Sequence, residues 1–549
     1  MRALTTLLST ITALFVHAQS HTWSFALGGQ GQDDVQAMAV SDFGHLYVAG
    51  YVYDDIVDMD PGTGQADQYS ANSFLASYTT DGTYRWAYAF DGGGFTEAQL
   101  AAGNNGDVVI AGRWAGSGEL DPGPGVVPAN ASGNGRLVVA RYDSTGNHLW
   151  SFNIGGTNTE SIAGLALDAA GNVYISGIVY GGCDFDPGPD TIMPFPNDFI
   201  QYNFLAKYAA NGQALWARML RGPAVFQKPV IAVDSAGNAY ISGSVGDSLN
   251  LDPGFTNTVI NGVGPVEDVY LARYRPDGSF HWGGVIGGSL DGFAHAIAAN
   301  ADGRVVVTGT YRGYYDFDMS AGTTTLMATI PGAYDAFVAV YDSTSALQWA
   351  KRFGNNGLDM GTAVRMDTQG EVALAGYYAG SITIGNFING FGWDDAFLTR
   401  LDPNGNVLWA FGVGANDYDR ASAVAMGADG ATYLGGYFNN TIDLDPGTGT
   451  SLWTMVGFHD LFVARYDGLS TGIPTRTSPA LLATPNPTAD RVSVHANEPG
   501  TAQLIDATGQ VIRVLRLITG PNTLDLSALP DGIYLLRCGP AAVRVVKQE

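Results

Sequence analysis

The chain is poor in the groups on which many folds and active sites depend. Its 549 residues include only two cysteines, Cys183 and Cys538, whose positions give no pairing pattern, so we expect no structural disulfide. Beyond the N-terminus no run of 18 apolar residues occurs, which predicts a mature chain without a membrane span. The sequence also lacks His-Glu-x-x-His, Gly-x-Ser-x-Gly, a phosphate-binding loop and paired Cys-x-x-Cys. These absences favour a protein that is not an enzyme.

Basic residues are scarce. Lys and Arg number 26 against 52 Asp and Glu, a net charge of −26, and residues 19–467 alone carry 46 acidic and 18 basic residues. Such a surface repels phosphate backbones and anionic lipid headgroups. We therefore exclude nucleic acid as a partner and retain cations, neutral sugars and basic proteins.

Glycine and aromatic residues are abundant, and they follow a period. Gly accounts for 74 residues, which together with few charges is typical of an all-β chain with many tight turns. Seven tryptophans recur at intervals of 60 to 67 residues: Trp23, Trp86, Trp150, Trp216, Trp282, Trp349 and Trp409. Each repeat contains four short β-type runs, with turns such as Asp168-Ala-Ala-Gly-Asn172 between them. The period indicates a repeat architecture, and each recurrent Trp is expected to pack one repeat against the next.

A ring closes such repeats without exposed edges. A four-stranded unit must cover its faces with copies of itself, and a propeller does this without capping repeats. The chain starts with an unpaired fourth strand at 22–27, and its last repeat, residues 421–466, lacks one. The sequence therefore predicts a seven-bladed β-propeller over 19–467, with four-stranded blades and an N-terminal strand that closes blade seven. The run Gly-Asn-Val-Tyr-Ile-Ser-Gly at 171–177, followed by Phe-Leu-Ala-Lys-Tyr at 204–208, resembles the SBBP-type propeller repeats of secreted bacterial proteins. That resemblance implies a propeller and no specific activity.

Six repeats carry two polar residues at i and i+2 in the loop after the second strand. They are Asp58 and Asp60, Glu119 and Asp121, Asp184 and Asp186, Asn250 and Asp252, Asp316 and Asp318, and Asp443 and Asp445. Alternation in an extended segment turns both polar side chains to one side. Two such oxygens beside a turn are candidate ligands for Ca²⁺, the one cofactor that the sequence suggests. An Asp before Pro-Gly also forms a favoured turn by bonding its own backbone, and this structural interpretation is the stronger one.

The two ends of the chain predict an export route. Residues 1–18 have a basic start, an apolar stretch and a small-residue end, as in a secretory signal peptide. Residues 468–482 read as a linker, and 483–549 as a small antiparallel β-sandwich. The motifs Pro-Asn-Pro at 485–487, Asp-Ala-Thr-Gly-Gln-Val at 506–511 and Leu-Pro-Asp-Gly-Ile-Tyr-Leu-Leu at 529–536 resemble the type A C-terminal sorting domain of the type IX secretion system. The resemblance implies a Bacteroidota source, passage through the periplasm, contact of residues 483–549 with the type IX machinery, and delivery to the cell surface or medium.

The sequence thus favours a secreted or surface-displayed propeller that binds an extracellular glycan or protein. The long loops after the second strands lie at the same end of the blades as the links between blades, and we expect any ligand to bind there. One alternative is a hydrolase or lyase acting on polysaccharide or peptide. It requires a non-repeating carboxylate or histidine cluster in the central channel. The other alternative is a structural surface protein without a dedicated ligand.

Overall fold

A computed structural model describes residues 19–468 and 482–548, apart from residues 72, 91–92, 122, 124, 131–135, 156–159, 195–199, 223–226, 254, 265, 331, 485–487, 489, 497–499, 507–510 and 539–540. The expected signal peptide at 1–18 and the linker at 468–482, except its two end residues, lie outside the described residues. The chain divides into two compact units, residues 1–469 and 470–549.

The first unit is a β-propeller, and its described residues form seven successive sheets, each built on four antiparallel strands. Sheet 1 comprises Asp34–Val40, His45–Tyr51, Phe74–Thr79 and Tyr84–Ala89. Sheet 2 comprises Gly93–Ala102, Val108–Glu119, Arg136–Tyr142 and His148–Ile154. Sheet 3 comprises Ser161–Leu167, Val173–Tyr180, Gln201–Tyr208 and Ala214–Leu220. Sheet 4 comprises Val230–Val233, Ala239–Val245, Asp268–Tyr274 and Phe280–Gly288.

The remaining sheets follow the same order of strands. Sheet 5 comprises Gly292–Ala299, Val305–Tyr311, Asp335–Tyr341 and Leu347–Phe353. Sheet 6 comprises Asp359–Met366, Val372–Ile384, Asn386–Leu401 and Val407–Val413. Sheet 7 takes three strands from the end of the unit and one from its start: Arg420–Met426, Thr432–Phe438, Asp460–Gly468 and Gln19–Leu27. In this last pair Phe25 lies opposite Val463, so the N-terminal strand occupies the place that the sequence predicts for it.

In five sheets the loop after the second strand contains short strands of its own. These are Asp54–Asp58 with Asp67–Ala71, Pro128–Asn130 against the end of Val108–Glu119, Ser248–Asn250 with Val259–Asn261, Tyr314–Asp316 with Thr325–Met327, and Thr441–Asp443 with Leu452–Thr454. Each short pair follows or extends a second strand, so these loops contain ordered, hydrogen-bonded β-structure.

Hydrophobic packing between consecutive sheets holds the unit together. One core contains Val35 and Leu46 of sheet 1 with Leu461 and Val463 of sheet 7. Comparable cores lie between each of the six remaining pairs of consecutive sheets. The first strands also pack against one another in sequence, and that of sheet 7 packs against that of sheet 1. They surround a central channel.

The recurrent tryptophans add a polar link between sheets. In six repeats the indole Nε1 donates a hydrogen bond to a backbone carbonyl in the last turn of the following sheet, as from Trp282 to Ser343 O at 3.0 Å. A bond of this kind contributes about 1 kcal/mol. The expectation that these side chains join neighbouring repeats is met at these six positions.

The second unit contains two antiparallel sheets. One has the strands Leu482–Thr484, Arg491–Ala496 and Gly520–Asp525, and the other has Val511–Leu517, Gly500–Ile505, Gly532–Cys538 and Ala541–Lys547. A separate core that includes Val492, Leu504, Leu536 and Val545 lies within it. Cys183 and Cys538 are both free thiols. The described part of the chain contains no helix with the length and hydrophobicity to cross a bilayer.

Candidate functional site

The predicted acid pairs act as hydrogen-bond acceptors inside their own loops. In sheet 5 the loop carboxylate Asp316 accepts through Oδ1 from the backbone N–H of Asp318 at 3.0 Å and of Thr324 at 2.8 Å. Asp318 in turn accepts from Ser320 N at 2.9 Å. The same arrangement occurs at Asp58 and Asp60, Glu119 and Asp121, Asp184 and Asp186, and Asp443 and Asp445. The first acid closes the loop, and the second caps the tight turn.

The pair in sheet 4 has a variant of this geometry. Asn250 supplies the first acceptor through its amide oxygen, which binds Asp252 N at 3.0 Å. Asp252 is buried and accepts from both the backbone N–H and the hydroxyl of Thr256, at 3.1 and 2.8 Å. The second residue of the pair here holds a larger turn.

In each of these six sheets a buried tyrosine of the third strand is hydrogen-bonded to the loop. The residue between the two polar side chains is buried, and its carbonyl accepts a hydrogen bond from a tyrosine at the end of the third strand. The bonds join Tyr78 to Met59, Tyr142 to Leu120, Tyr208 to Phe185, Tyr274 to Leu251, Tyr341 to Phe317 and Tyr466 to Leu444 over 2.6–3.0 Å. We call this combination of acid pair and tyrosine the loop staple.

Sheet 6 lacks every part of the loop staple. Its sequence has Ser381-Ile-Thr-Ile-Gly385 where the others have the acid pair, and Leu401 occupies the tyrosine position. Its second and third strands instead continue into one long hairpin, with Ile384 paired to Asn386 at the tip. Because the tyrosine and the acid pair disappear together, the two features form one structural unit.

The eleven candidate metal-ligating acids lie in six separate loops, and no three His, Cys, Asp or Glu side chains converge as a ligand set within the described residues. Each first acid has one side-chain oxygen already bonded to backbone N–H groups. The Ca²⁺ interpretation of Asp58, Asp60, Glu119, Asp121, Asp184, Asp186, Asp252, Asp316, Asp318, Asp443 and Asp445 stays a prediction.

The long hairpin of sheet 6 exposes aromatic side chains beside sheet 7. Trp393 is 67% exposed, and Phe391 and Phe387 on the same strand are 58% and 63% exposed. The indole of Trp393 stacks on Tyr418, with ring centroids 5.9 Å apart and planes inclined by 30°. Several large exposed rings on one surface are typical of an interaction site, whereas single exposed rings are common.

A cleft of about 390 Å³ begins at Tyr418. Gln32, Asp417, Tyr418, Arg420, Tyr437, Asn439, Phe458 and His459 line it. Phe458, which is 72% exposed, forms a second aromatic wall. We call this surface, together with Trp393, the aromatic cleft. It lies among the loops that follow the second strands and the links between sheets, at the end of the sheets where the sequence predicts binding.

The polar groups of the aromatic cleft are held in place. The guanidinium of Arg420 donates to Asp394 Oδ2, from Nε at 2.9 Å and also from Nη2. Burial opposes the charge of Arg420, but its hydrogen bonds to Asp394 raise its pKa above the usual value. Asn439 donates to Tyr418 O at 2.6 Å, and burial lowers the pKa of His459 below its usual value. The cleft thus combines aromatic surfaces with fixed donors and acceptors.

A polar cluster at the first strands of sheets 2 and 3 does not repeat in the other sheets. Glu97 has a left-handed backbone with φ of 64°, and its carboxylate accepts from Lys228 Nζ and from Ser161 Oγ. These residues join the first strands of sheets 2 and 3 to the segment before the first strand of sheet 4. Nearby in the ring, His295 contacts Gln227 at 3.2 Å, and burial lowers its pKa to about 4. No hydrogen bond links His295 to Ser161 or Glu97 in the described structure.

The sequence prediction missed the aromatic cleft. Its signal is a tryptophan outside the period: Trp114, Trp393 and Trp453 interrupt the regular series. Trp114 is fully buried and Trp453 donates to Ser24 Oγ at 3.1 Å, which leaves Trp393 as the exposed one. The absence of the acid pair from the loop of sheet 6 is a second sequence signal of the same site.

Comparison with known proteins separates the two units. Residues 484–548 match the family model of the secretion system C-terminal sorting domain. An uncharacterized WD repeat-containing protein from Acanthamoeba polyphaga mimivirus is 24% identical over 419 residues, which is 65% of this chain and 30% of that protein. The regulatory protein FlaEY of Caulobacter vibrioides is 28% identical over 127 residues, 22% of this chain and 13% of that protein. The chain therefore spans less than a third of either relative.

Solved structures that a comparison finds similar include the WD40 repeats of RRP9, at 10% identity and a TM-score of 0.41, covering 82% of this chain and 99% of that one. Another is PorZ, a surface component of the type IX secretion system of Porphyromonas gingivalis, at 10% identity and a TM-score of 0.16, covering 96% of this chain and all of that one. The predicted combination of a propeller with a type IX sorting tail is confirmed by the sheets of the first unit and the family match of the second. The chain is a β-propeller protein whose residues 484–548 belong to the C-terminal sorting domain family of the type IX secretion system.

Proposed function

We propose that this protein is an exported seven-bladed β-propeller that binds a neutral saccharide in the aromatic cleft and catalyses no reaction. The exposed stack of Trp393 on Tyr418 is the observation that carries the proposal. Aromatic faces cover the apolar faces of sugar rings, while fixed amide, carboxylate and guanidinium groups recognise hydroxyls. The net charge of −26 favours an uncharged ligand over an acidic one.

The architecture supports the number of blades. We infer that the seven sheets are the seven blades of one closed ring, because cores join each sheet to the next and sheet 7 to sheet 1. We also infer that the two C-terminal sheets form a β-sandwich around the core that contains Val492 and Leu536. A rigid ring gives its loops fixed positions, which binding at low entropic cost requires.

The sorting tail supports an extracellular site of action. Type IX export of the chain to the cell surface or medium follows from the family match, and the signal peptide at 1–18 that would begin this route stays a prediction. The propeller would then act as the binding unit and the tail as the delivery unit.

The geometry gives less support to the enzyme alternative. A glycosidase needs two carboxyl groups about 5–9 Å apart that flank a bound sugar. One carboxylate, Asp417, lines the aromatic cleft and accepts from the backbone N–H of Tyr418 at 3.1 Å, while Asp394 beside the cleft is committed to Arg420. Glu97 is committed to Lys228 and Ser161. A structural surface protein without a ligand would not need three exposed aromatic side chains on one hairpin.

A glycan array tests the proposal. We expect the purified chain, residues 19–549, to bind a subset of neutral oligosaccharides, and Trp393→Ala to lose this binding. Phe43→Ala is the matched control, because Phe43 is 62% exposed but lies in the turn between the first two strands of sheet 1, at the opposite end of the sheets. An array on which the unaltered chain binds nothing, or on which Trp393→Ala binds as well as Phe43→Ala, would refute the assignment.

A further inference from the structure

One cationic side chain interrupts a ring of alanines around the channel. The penultimate residue of the first strand is alanine in six sheets and arginine in sheet 6. The seven positions are Ala39, Ala101, Ala166, Ala232, Ala298, Arg365 and Ala425. Small side chains at this level leave the channel open, so Arg365 occupies space that the other six sheets leave free.

The guanidinium of Arg365 crosses the channel. Its Nη1 donates to the carbonyl of Val364 at 2.9 Å, and Nη2 lies 3.5 Å from the carbonyl of Met38 in sheet 1, two sheets further around the ring. The side chain lines two cavities, one of about 170 Å³ and one of about 530 Å³. It therefore stands between two spaces that solutes can occupy.

Arg365 has no ion pair with a carboxylate in the described part of the chain. Two carboxylates line the larger cavity, and one of them, Asp367, pairs with Arg400. Glu97 lines neither cavity and pairs with Lys228. Asp42 is an exposed residue that lines the larger cavity. Asp34, whose pKa burial raises to about 7, lies 3.5 Å from the hydroxyl of Ser422. In the described part of the chain the half-buried Arg365 thus has backbone carbonyls and no carboxylate as partners, although the protein has twice as many acidic as basic residues.

A half-buried cation with only carbonyl partners is less well stabilised than one paired with an anion, and a small anion in the channel supplies that pairing. Burial itself lowers the pKa of Arg365 below its usual value. A guanidinium offers five N–H donors in a planar fork that fits two oxygens of one anion. Polar side chains complete the smaller cavity: Gln36, Gln99, Thr362 and Ser422. The side-chain amides of Gln36 and Gln99 are the donors that suit an oxyanion, whereas the hydroxyls of Thr362 and Ser422 already donate to the backbone carbonyls of Ala421 and Val35.

We infer that the central channel binds a small oxyanion, a carboxylate or a phosphate, on the guanidinium of Arg365. The inference is independent of the aromatic cleft, which lies among the loops and takes a neutral ligand. A carboxylate would come from a free organic acid or from an acidic sugar, and a phosphate from the inorganic ion. All share two oxygens in the geometry that the fork accepts.

Anion-dependent thermal melting of the chain, residues 19–549, tests this site. Sodium acetate and sodium phosphate are added separately at constant ionic strength to the unaltered chain, Arg365→Ala and Arg275→Ala. The first variant restores the alanine of the other six sheets and is therefore expected to fold. The second removes an exposed arginine from a turn of sheet 4 and is the matched control. For a site of millimolar affinity, about 10 mM of the anion raises the midpoint by about 1–2 °C.

We expect this rise in the unaltered chain and in Arg275→Ala, and its loss in Arg365→Ala. Arg365→Lys, which keeps the charge without the fork, should retain less than half of the shift. A response to acetate alone identifies a carboxylate site, and a response to phosphate alone a phosphate site. If neither anion stabilises the unaltered chain, or if Arg365→Ala responds as the unaltered chain does, the channel site is refuted.

Discussion

The loop staple predicts a local and measurable loss of protection when its tyrosine hydroxyl is removed. In sheet 5, Tyr341 Oη donates to Phe317 O over 2.7 Å, and both residues are fully buried. Tyr341→Phe removes one hydrogen bond and leaves a carbonyl without a partner or water. The expected cost is about 1–2 kcal/mol.

This loss lowers the free energy needed to open one loop, that of sheet 5. The amides of Asp318 and Thr324 are protected by Asp316, so they exchange with solvent only when the loop opens. A loss of about 1–2 kcal/mol raises the population of the open loop by about 5–30-fold. Hydrogen–deuterium exchange followed by mass spectrometry measures this increase directly over 316–324.

The matched control lies in another sheet. Tyr78→Phe removes the equivalent bond to Met59 O, at 3.0 Å, and should accelerate exchange only in its own loop, at 59–66. Unchanged exchange at 316–324 in Tyr341→Phe, or an equal effect of Tyr78→Phe on that segment, would refute the view that each tyrosine holds its own loop.

Three further predictions concern the metal, pH and the tail. Millimolar Ca²⁺ should leave the melting midpoint of the chain within about 1 °C of its value with chelator, because the acid pairs serve their own loops; a clear rise would restore Asp316 and its equivalents as ligands. Burial raises the pKa of Asp359 and of Asp419 to about 7. Between about pH 4 and pH 7 the folded chain therefore binds more protons than the unfolded chain, and the free energy of unfolding falls as the pH rises. Urea unfolding should therefore give a larger free energy at about pH 5 than at about pH 8, with a smaller difference in Asp359→Asn; the opposite order contradicts this account. Deletion of residues 480–549 should leave a folded propeller in the periplasm, and normal surface delivery of that variant would refute the sorting role.

The propeller could be predicted from the sequence because its determinants repeat. The tryptophan period, the Gly-containing turns and the missing fourth strand of the last repeat are local signals, and the pairing of Phe25 with Val463 follows from them. The alternation in the acid pairs also predicts which side chains share a side: Met59 and Phe317 are buried while their acidic neighbours face the loop backbone.

The candidate site could not be predicted in the same way, because it depends on contacts between different repeats. Trp393 and Tyr418 are 25 residues apart and belong to consecutive sheets, and nothing in either segment alone shows that their rings stack. The tyrosine partner of each acid pair was equally hidden, since Tyr341 and Phe317 meet only after the third strand pairs with the second. A repeat pattern identifies what each repeat has in common, whereas the site arises where sheet 6 departs from it.

Arg365 illustrates the same limit inside the channel. Its sequence neighbourhood, Ala-Val-Arg-Met at 363–366, is an ordinary strand sequence. Only the alignment of the seven first strands around one axis makes it the exception among alanines.

The central claim is that the binding site lies at the exposed hairpin of sheet 6 and not at the repeated acid pairs. Calorimetric titration with the saccharide that binds most strongly on the array tests this claim most directly. The chain, Trp393→Ala and Asp316→Asn are compared under one condition. We predict that Trp393→Ala weakens affinity at least about tenfold, a loss of about 1.4 kcal/mol, while Asp316→Asn leaves affinity unchanged. Unaltered affinity in Trp393→Ala together with weakened affinity in Asp316→Asn would contradict the account and place the ligand at the acidic loops.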